Sequence, residues 1–152
     1  MPVLTLDTFI AAPQALCFDL ARDVGVHCRT ASFTGERAIP PGVTEGPLIL
    51  GDLVIFEARH LGLRQRLHAR IVRMEAPSLF ADEMVRGAFA SLSHTHEFLP
   101  SGNGTLMRDT LVWRSPLGPL GRMADALFLT RHLHNFLASR NAALKALAEA
   151  SA

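Results

Sequence analysis

Residues 89–114, FASLSHTHEFLPSGNGTLMRDTLVWR, carry the clearest structural signal in the chain. Two runs of alternating apolar and polar residues flank the turn sequence Ser101–Gly104, and Gly and Asn are the residues that tight β-turns favour. The pattern predicts a hairpin with one strand over Phe89–Leu99 and the next over Thr105–Arg114. Because the connection is short, the two strands are expected to be antiparallel neighbours.

The same alternation predicts further strands upstream of this hairpin, each bounded by turn residues. They are Val3–Ile10, Asp52–His60, Leu63–Glu75 and Leu79–Arg86. Apolar spacings of three and four predict a short helix from Pro13 to Arg22, ended by Gly25. The proline- and glycine-rich segment 35–51 is typical of a loop around one edge strand.

The last part of the chain, 119–150, has the apolar stripe of a long amphipathic helix with a kink near its start. At about 1.5 Å per residue it spans roughly 45 Å, enough to cross a whole sheet. An antiparallel sheet with one apolar face must cover that face, and this helix is the only element large enough. We therefore predict an α+β fold, with short helices after the first strand, in which a curved sheet grips the C-terminal helix and leaves a space between them.

Composition limits the classes of function. With 49% hydrophobic residues and 152 residues in all, the sequence predicts a single globular domain over 1–152. Fifteen Lys and Arg against fourteen Asp and Glu give a net charge of +1, which argues against nucleic-acid binding. The first twenty residues resemble neither a signal peptide nor a membrane span, so we expect a cytoplasmic protein. The two cysteines are expected to be free thiols.

This element order, together with six stretches of sequence, resembles the START-like superfamily, also called SRPBCC. The stretches are AAPQALCFDL (11–20), ARHLG (58–62), LFADEMVRGAF (79–89), HTHEF (94–98), TLMRDTL (105–111) and SPLGPLG (115–121). Within that superfamily the chain looks most like small bacterial ligand-binding or polyketide cyclase/dehydrase-like proteins. The resemblance implies a helix-grip fold with about seven antiparallel strands and a cavity for an apolar ligand. It does not imply one chemistry, because such folds serve carriers, receptors and enzymes alike.

Two histidines and one aspartate are the candidate catalytic residues. His94 and His96 alternate with Thr95 and Glu97, so they share the face of Phe98, which should be buried. Hairpin pairing brings Asp109 within reach of both imidazoles. A histidine oriented by a carboxylate suits general acid–base work such as cyclisation or dehydration.

The inward positions of the strands and one face of the last helix supply the candidate ligand-binding residues. They are Phe56, His60, Asp82, Met84, Arg86, Phe98, Met107, Leu111, Trp113, Phe136 and Arg140. Which face of strand 79–86 lines the cavity stays open, because both faces mix apolar and charged residues. His132 is expected to lie on the solvated face of the helix, and Arg66 and Arg70 on the outer face of the sheet.

Alternative interpretations of the histidines stay open. They can be hydrogen-bonded core residues, polar anchors of a ligand pocket, or an HxH metal site completed by Asp109 or His60. We predict no cofactor and no metal, and a small hydrophobic partner such as a lipid, polyketide or aromatic molecule. A protein-interaction module and a homodimer are further interpretations that the sequence leaves open.

Overall fold

A computed structural model describes residues 1–152, and its main feature is a seven-stranded antiparallel sheet. The strands are β1 (Val3–Ile10), β2 (Arg37–Ala38), β3 (Leu53–His60), β4 (Leu63–Glu75), β5 (Leu79–Arg86), β6 (Ser91–Ser101) and β7 (Gly104–Arg114). Their order is β1-β7-β6-β5-β4-β3-β2, so chain neighbours pair from β2 to β7 and β1 closes the far edge beside β7. The predicted strands are confirmed, and the edge strand expected within 35–51 is β2.

The β6–β7 hairpin has the register that the sequence predicts. Phe98 pairs with Met107, and His96 pairs with Asp109. Gly102 has a φ of +53°, a left-handed conformation that glycine adopts without steric cost, and this lets the turn close tightly. The register fixes which side chains meet on the inner face.

Two short helices follow β1, in agreement with the predicted fold class, although the apolar spacing located only the first of them. They are α1 (Gln14–Ala21) and α2 (Val24–Thr30). The expectation that Gly25 ends the helical region is wrong, because Gly25 lies within α2. Asp23 caps α2 by accepting a hydrogen bond from the Val26 N–H at 3.0 Å, which restarts the helix after a break.

The C-terminal helical segment has the predicted irregular start. It comprises α3 (Pro119–Ala124), a π-helical turn over Asp125–Leu129, and α4 (Thr130–Ser151). Asp125 anchors this entry, because it accepts hydrogen bonds from the Trp113 indole N–H at 3.0 Å and from the Ser115 hydroxyl at 2.6 Å. None of the helices combines the length and the apolar character needed to cross a membrane.

The two halves of α4 have different surroundings. Leu144 and Ala148, in its C-terminal half, are buried in the hydrophobic core with α1 and the sheet. There the Phe18 ring meets Phe80 and Phe98 edge-on, at centroid distances of 5.7 and 5.5 Å. The N-terminal half of α4 instead lines a cavity, so the core fills only part of the space beneath the sheet.

An ion-pair cluster ties β2, β3 and β4 together on the outer face of the sheet. Glu57 accepts hydrogen bonds from Arg37, Arg64 and Arg66, at 2.6 to 3.1 Å. Its side chain is only 4% exposed, because the three guanidinium groups cover it. Glu57 points outward, and its hydrogen bonds with Arg37, Arg66 and Arg64 lower its pKa to about 2.

Candidate functional site

The cavity lies between the inner face of the sheet and the N-terminal half of α4. Its volume is about 200 Å³, and most of its lining residues are hydrophobic. An engineered apolar cavity of roughly 150 Å³ already admits benzene, so this space fits a compact organic molecule. Strands β3 to β7, both short helices and α4 all contribute to its wall.

A polar cluster of Asp109, His94 and His96 stands at this wall. His94 Nε2 lies 2.8 Å from Asp109 Oδ1, so the predicted contact between the aspartate and the strand histidines is confirmed. His96 Nδ1 lies 3.1 Å from the same oxygen, without the alignment of a hydrogen bond. The Asn141 side-chain amide donates to Asp109 Oδ2 at 2.7 Å. Asp109 is fully buried and is held from three directions.

The ring of His96 is fixed on both faces. It stacks on Phe80 at 4.2 Å and on His94 at 3.8 Å between centroids. Its Nε2 lies 3.4 Å from Asp82 Oδ2, across the β5–β6 pair. His96 thus stands between two carboxylates, and its ring cannot turn without moving Phe80 or His94.

These surroundings move the pKa values of the two histidines in opposite directions. Burial lowers the pKa of His94, and the charge of His96 lowers it further, against the opposing effect of Asp109. Burial also disfavours the charged form of His96, but its contacts with Asp109 and Asp82 outweigh this and raise its pKa above the ordinary 6.5. Of the two imidazoles, His96 is therefore the one that takes up a proton more readily.

The two carboxylates beside the histidines, Asp109 and Asp82, stay ionised. Burial alone would raise the pKa of Asp109, but contacts with His94 and His96 hold it well below the ordinary value. Burial likewise opposes ionisation of Asp82, and His96 again reverses the effect, so the pKa of Asp82 is lowered. The site combines an ionised acceptor pair with a protonatable imidazole, which is an acid–base arrangement.

Arg140 enters the cavity from α4. It is 2% exposed, and its guanidinium forms no hydrogen bond or ion pair within the protein. We predicted Arg140 as a ligand contact only from its position on the helix.

A second group of rings lies toward the start of α4. His60 Nδ1 is 3.1 Å from His132 Nε2, and the His60 ring meets Phe136 edge-on at 5.1 Å. Burial lowers the pKa of His60. The expectation that His132 faces solvent is wrong, since it lines the cavity. His132, Phe136 and Arg140 follow one another at intervals of four residues, and this spacing could have predicted that His132 shares their face of the helix.

Sequence reasoning also missed His27 and Glu36. His27 Nε2 lies 2.7 Å from Glu36 Oε1, and its ring stacks on Phe56 at 4.2 Å. Both residues line the cavity. No pattern in the sequence connects α2 with the segment before β2, so this contact follows only from the three-dimensional fold.

The structure brings most of the predicted residues to the cavity wall. Those that line it are Phe56, His60, Asp82, His94, His96, Leu111, Phe136 and Arg140, while Asp109 lies directly behind the histidines. The sequence did not decide which face of β5 lines the cavity. Phe80 and Asp82 are among the lining residues, so it is the face that carries these two.

Five predicted residues lie outside the lining. Phe98 and Met107 are buried in the core cluster, and Trp113 is buried where it donates to Asp125. Met84 lies beside Gly87, beyond the last β5–β6 pair. A bulge at Val85, the extra β5 residue opposite His68 and Ala69, turns Arg86 to the outer face, because one extra residue reverses the alternation of side chains.

The geometry also changes the metal hypothesis. Ligand atoms of Asp82, His94 and His96 lie within 4.8 Å of one another, so the third donor is Asp82 rather than Asp109 or His60. However, the two imidazoles stack at 3.8 Å with an angle of 27° between their planes. A metal ion bound by two imidazoles lies near the plane of each ring, which this stack does not allow without ring rotation.

Known structures share this architecture across the whole chain. The protein TTHA0849 from Thermus thermophilus superposes with a TM-score of 0.80 at 19% identity, covering 99% of both chains. A START superfamily protein from Mycobacterium smegmatis gives 0.75 at 13% identity, again with 99% of both chains covered.

The chain has the START-like helix-grip fold. A plant protein, the ginseng major latex-like protein 151 from Panax ginseng, matches with a TM-score of 0.72 at 15% identity over 97% of each chain. No model of a protein family matches the sequence, and no curated protein matches it either. At these identities the likeness to START-like proteins concerns the fold.

Proposed function

We propose that this protein binds a small, largely apolar molecule in the cavity between the sheet and α4. The observation that carries the proposal is the cavity itself, about 200 Å³ with mostly hydrophobic walls and a polar cluster on one side. Apolar walls with a few convergent polar groups are the usual composition of ligand pockets. The START-like fold, which generally binds hydrophobic ligands, supports the same conclusion.

The size of the cavity limits the ligand. Burial of apolar surface supplies about 25 cal/mol per Å², so a ligand that fills the cavity gains most of its affinity from the apolar surface it buries. Lipid chains, polyketides and aromatic compounds all present such surface, and a volume of about 200 Å³ favours a compact aromatic body over a long acyl chain.

A calorimetric titration with naphthylmethanol, a neutral bicyclic probe, tests the proposal. Saturable binding at one site per chain is expected, and Ala58→Phe should abolish it, because Ala58 is a buried residue of the cavity wall. The matched control is Val85→Phe, which adds the same ring on the exposed outer face and should bind normally. Absence of binding to the unmodified protein, or undiminished binding to a folded Ala58→Phe variant, contradicts the proposal.

A second candidate function is acid–base catalysis on the bound molecule. It rests on the placement of His96 between Asp109 and Asp82, with His94 stacked beside it. In dehydration of a β-hydroxyketone, an imidazole would take the proton from the carbon beside the carbonyl. The hydroxyl group would then leave as water, with a proton supplied by the protonated member of the pair.

An aromatic β-hydroxyketone serves as the probe for this second function, because the conjugated product absorbs in the near ultraviolet. Turnover that disappears in His96→Gln, while naphthylmethanol still binds, would support catalysis. If the protein binds such compounds without converting them, the cluster acts as a polar anchor and the second function is excluded for that class.

A further inference from the structure

Arg140 differs from every other charged group at the cavity because nothing in the protein pairs with it. The residue is 2% exposed, and its Nε is buried without a hydrogen-bond acceptor. Its guanidinium forms no ion pair, although it belongs to the cavity wall. A guanidinium stays protonated under all ordinary conditions, so it cannot lower the cost of burial by losing its charge.

The nearby carboxylates are already engaged. The carboxylate of Asp109 contacts His94, His96 and Asn141, and the carboxylate of Asp82 contacts His96. These carboxylates therefore interact with the imidazoles and the Asn141 amide. The guanidinium of Arg140 faces the cavity without a carboxylate partner. Burying an unpaired charge is strongly unfavourable, and a partner of opposite charge in the cavity would offset that cost.

The spacing along α4 indicates how a ligand would lie. His132, Phe136 and Arg140 follow one another at intervals of four residues on the cavity side of the helix. The eight residues from His132 to Arg140 correspond to about 12 Å along the helix axis. An apolar body against Phe136 would place a head group beside Arg140, with the far end of the molecule toward His60 and His132.

We propose that the ligand is an amphipathic organic acid, with a compact apolar body and a carboxylate that pairs with Arg140. This inference rests on the proposed ligand-binding function and specifies its chemical class. A carboxylate matches the planar fork of a guanidinium with two parallel N–H···O bonds, and a charge-assisted pair of this kind is among the stronger polar contacts in proteins. A neutral molecule of the same shape would leave the guanidinium unpaired.

Naphthoate and naphthylmethanol form a matched pair of probes, since they differ essentially in the carboxylate. In calorimetric titrations of the unmodified protein near neutral pH, we expect naphthoate to bind roughly tenfold tighter or more. Arg140→Met keeps an apolar chain of similar length and should remove that preference while naphthylmethanol still binds. Arg140→Lys keeps the charge without the fork and should give an intermediate preference. Arg131→Gln, an exposed arginine on the same helix, is the control and should behave as the unmodified protein.

The outcomes separate this inference from the function on which it rests. If both probes bind the unmodified protein equally, or if Arg140→Met keeps the preference for naphthoate, the acid-binding role of Arg140 is overturned while the cavity remains a binding site. If neither probe binds, the proposed function fails and the inference fails with it. The comparison within the unmodified protein decides the question even if a variant does not fold.

Discussion

At the scale of single residues, Asp109 organises the polar wall of the cavity. It is fully buried on β7, and its two oxygens serve His94 and Asn141 at 2.8 and 2.7 Å, with His96 at 3.1 Å. One carboxylate therefore connects two strands with α4. Removing it affects the helix as well as the histidines.

Replacing Asp109 with Asn should destabilise the protein by about 3 kcal/mol at neutral pH, because buried hydrogen-bond donors lose a charged acceptor. Urea unfolding followed by the fluorescence of the single tryptophan measures the change. Asp7→Asn is the matched control, because Asp7 pairs with Arg108 at the exposed face and its substitution should have little effect on stability. Equal effects of the two substitutions would show that Asp109 does not hold the wall together.

The two stacked histidines should titrate in a fixed order, His94 below the ordinary pKa of a histidine and His96 above it. His96 has a raised pKa, so its contribution to stability is present below about pH 6.5, its unfolded value, and disappears as the pH rises through the folded value. His94 has a lowered pKa and should lose its proton at a lower pH than His96. NMR titration of the imidazole resonances checks this order. Two coincident titrations near the ordinary value would contradict the coupling through Asp109.

Single residues also show what sequence can reveal about the site. Strand alternation and one hairpin turn were enough to place His94, His96 and Asp109 together, because the period of two and the turn fix the register. Arg86 was misplaced because a bulge in β5 reverses the alternation, and no turn residue marks that bulge. His27 was missed because its partner Glu36 belongs to a segment without periodicity.

At the scale of elements, the division of α4 into a core half and a cavity half is the main feature. Leu144 is 1% exposed in the core cluster, and Leu137 is 3% exposed at the cavity wall. The two side chains are chemically identical and nearly equally buried, but one faces packed atoms and the other faces a space. Their truncations should therefore differ in cost.

Leu144→Ala should lower the free energy of unfolding by about 3 kcal/mol, because it opens a void in packed surroundings. Leu137→Ala should cost at most about half as much, since its side chain already lacks packing partners on the cavity side. Urea unfolding of both variants provides the comparison. Equal losses would indicate that the interior beneath α4 is packed throughout.

Glu57 connects three strands at the outer face and makes the stability of the sheet depend on pH in the acid range. Its pKa is about 2, so its contribution to stability is complete above the ordinary value of 4.5 and is lost as the pH falls toward 2. Thermal unfolding as a function of pH should show a smaller acid-induced fall in Glu57→Gln than in the unmodified protein. Glu83→Gln, an exposed carboxylate on β5, is the control. Parallel curves for all three proteins would rule out the contribution of Glu57.

Element boundaries were predictable where turn residues and periodicity agree, as in the hairpin and the long C-terminal segment. The position of the second short helix was not predicted, because Gly25 disfavours a helix while the Asp23 cap favours one, and the cap prevails. The division of α4 could not be predicted either, since both halves carry the same kind of apolar stripe. Only packing against α1 and the sheet distinguishes them.

At the scale of the whole molecule, one physical fact connects the fold with the proposed function. A seven-stranded sheet and one long helix enclose more volume than the side chains between them occupy, and about 200 Å³ remains beside the polar cluster. The resemblance to START-like proteins is confirmed for the fold, over 97 to 99% of the chain in the structures compared.

A heteronuclear NMR titration of the protein with naphthylmethanol shows where an apolar probe binds as well as whether it binds. We expect saturable shifts at residues of the cavity wall such as Phe56, His96 and Phe136, and none on the outer face around Arg86. Shifts confined to the outer surface, or no shifts at saturating probe, would contradict the claim that this helix-grip protein holds an apolar ligand between its sheet and α4.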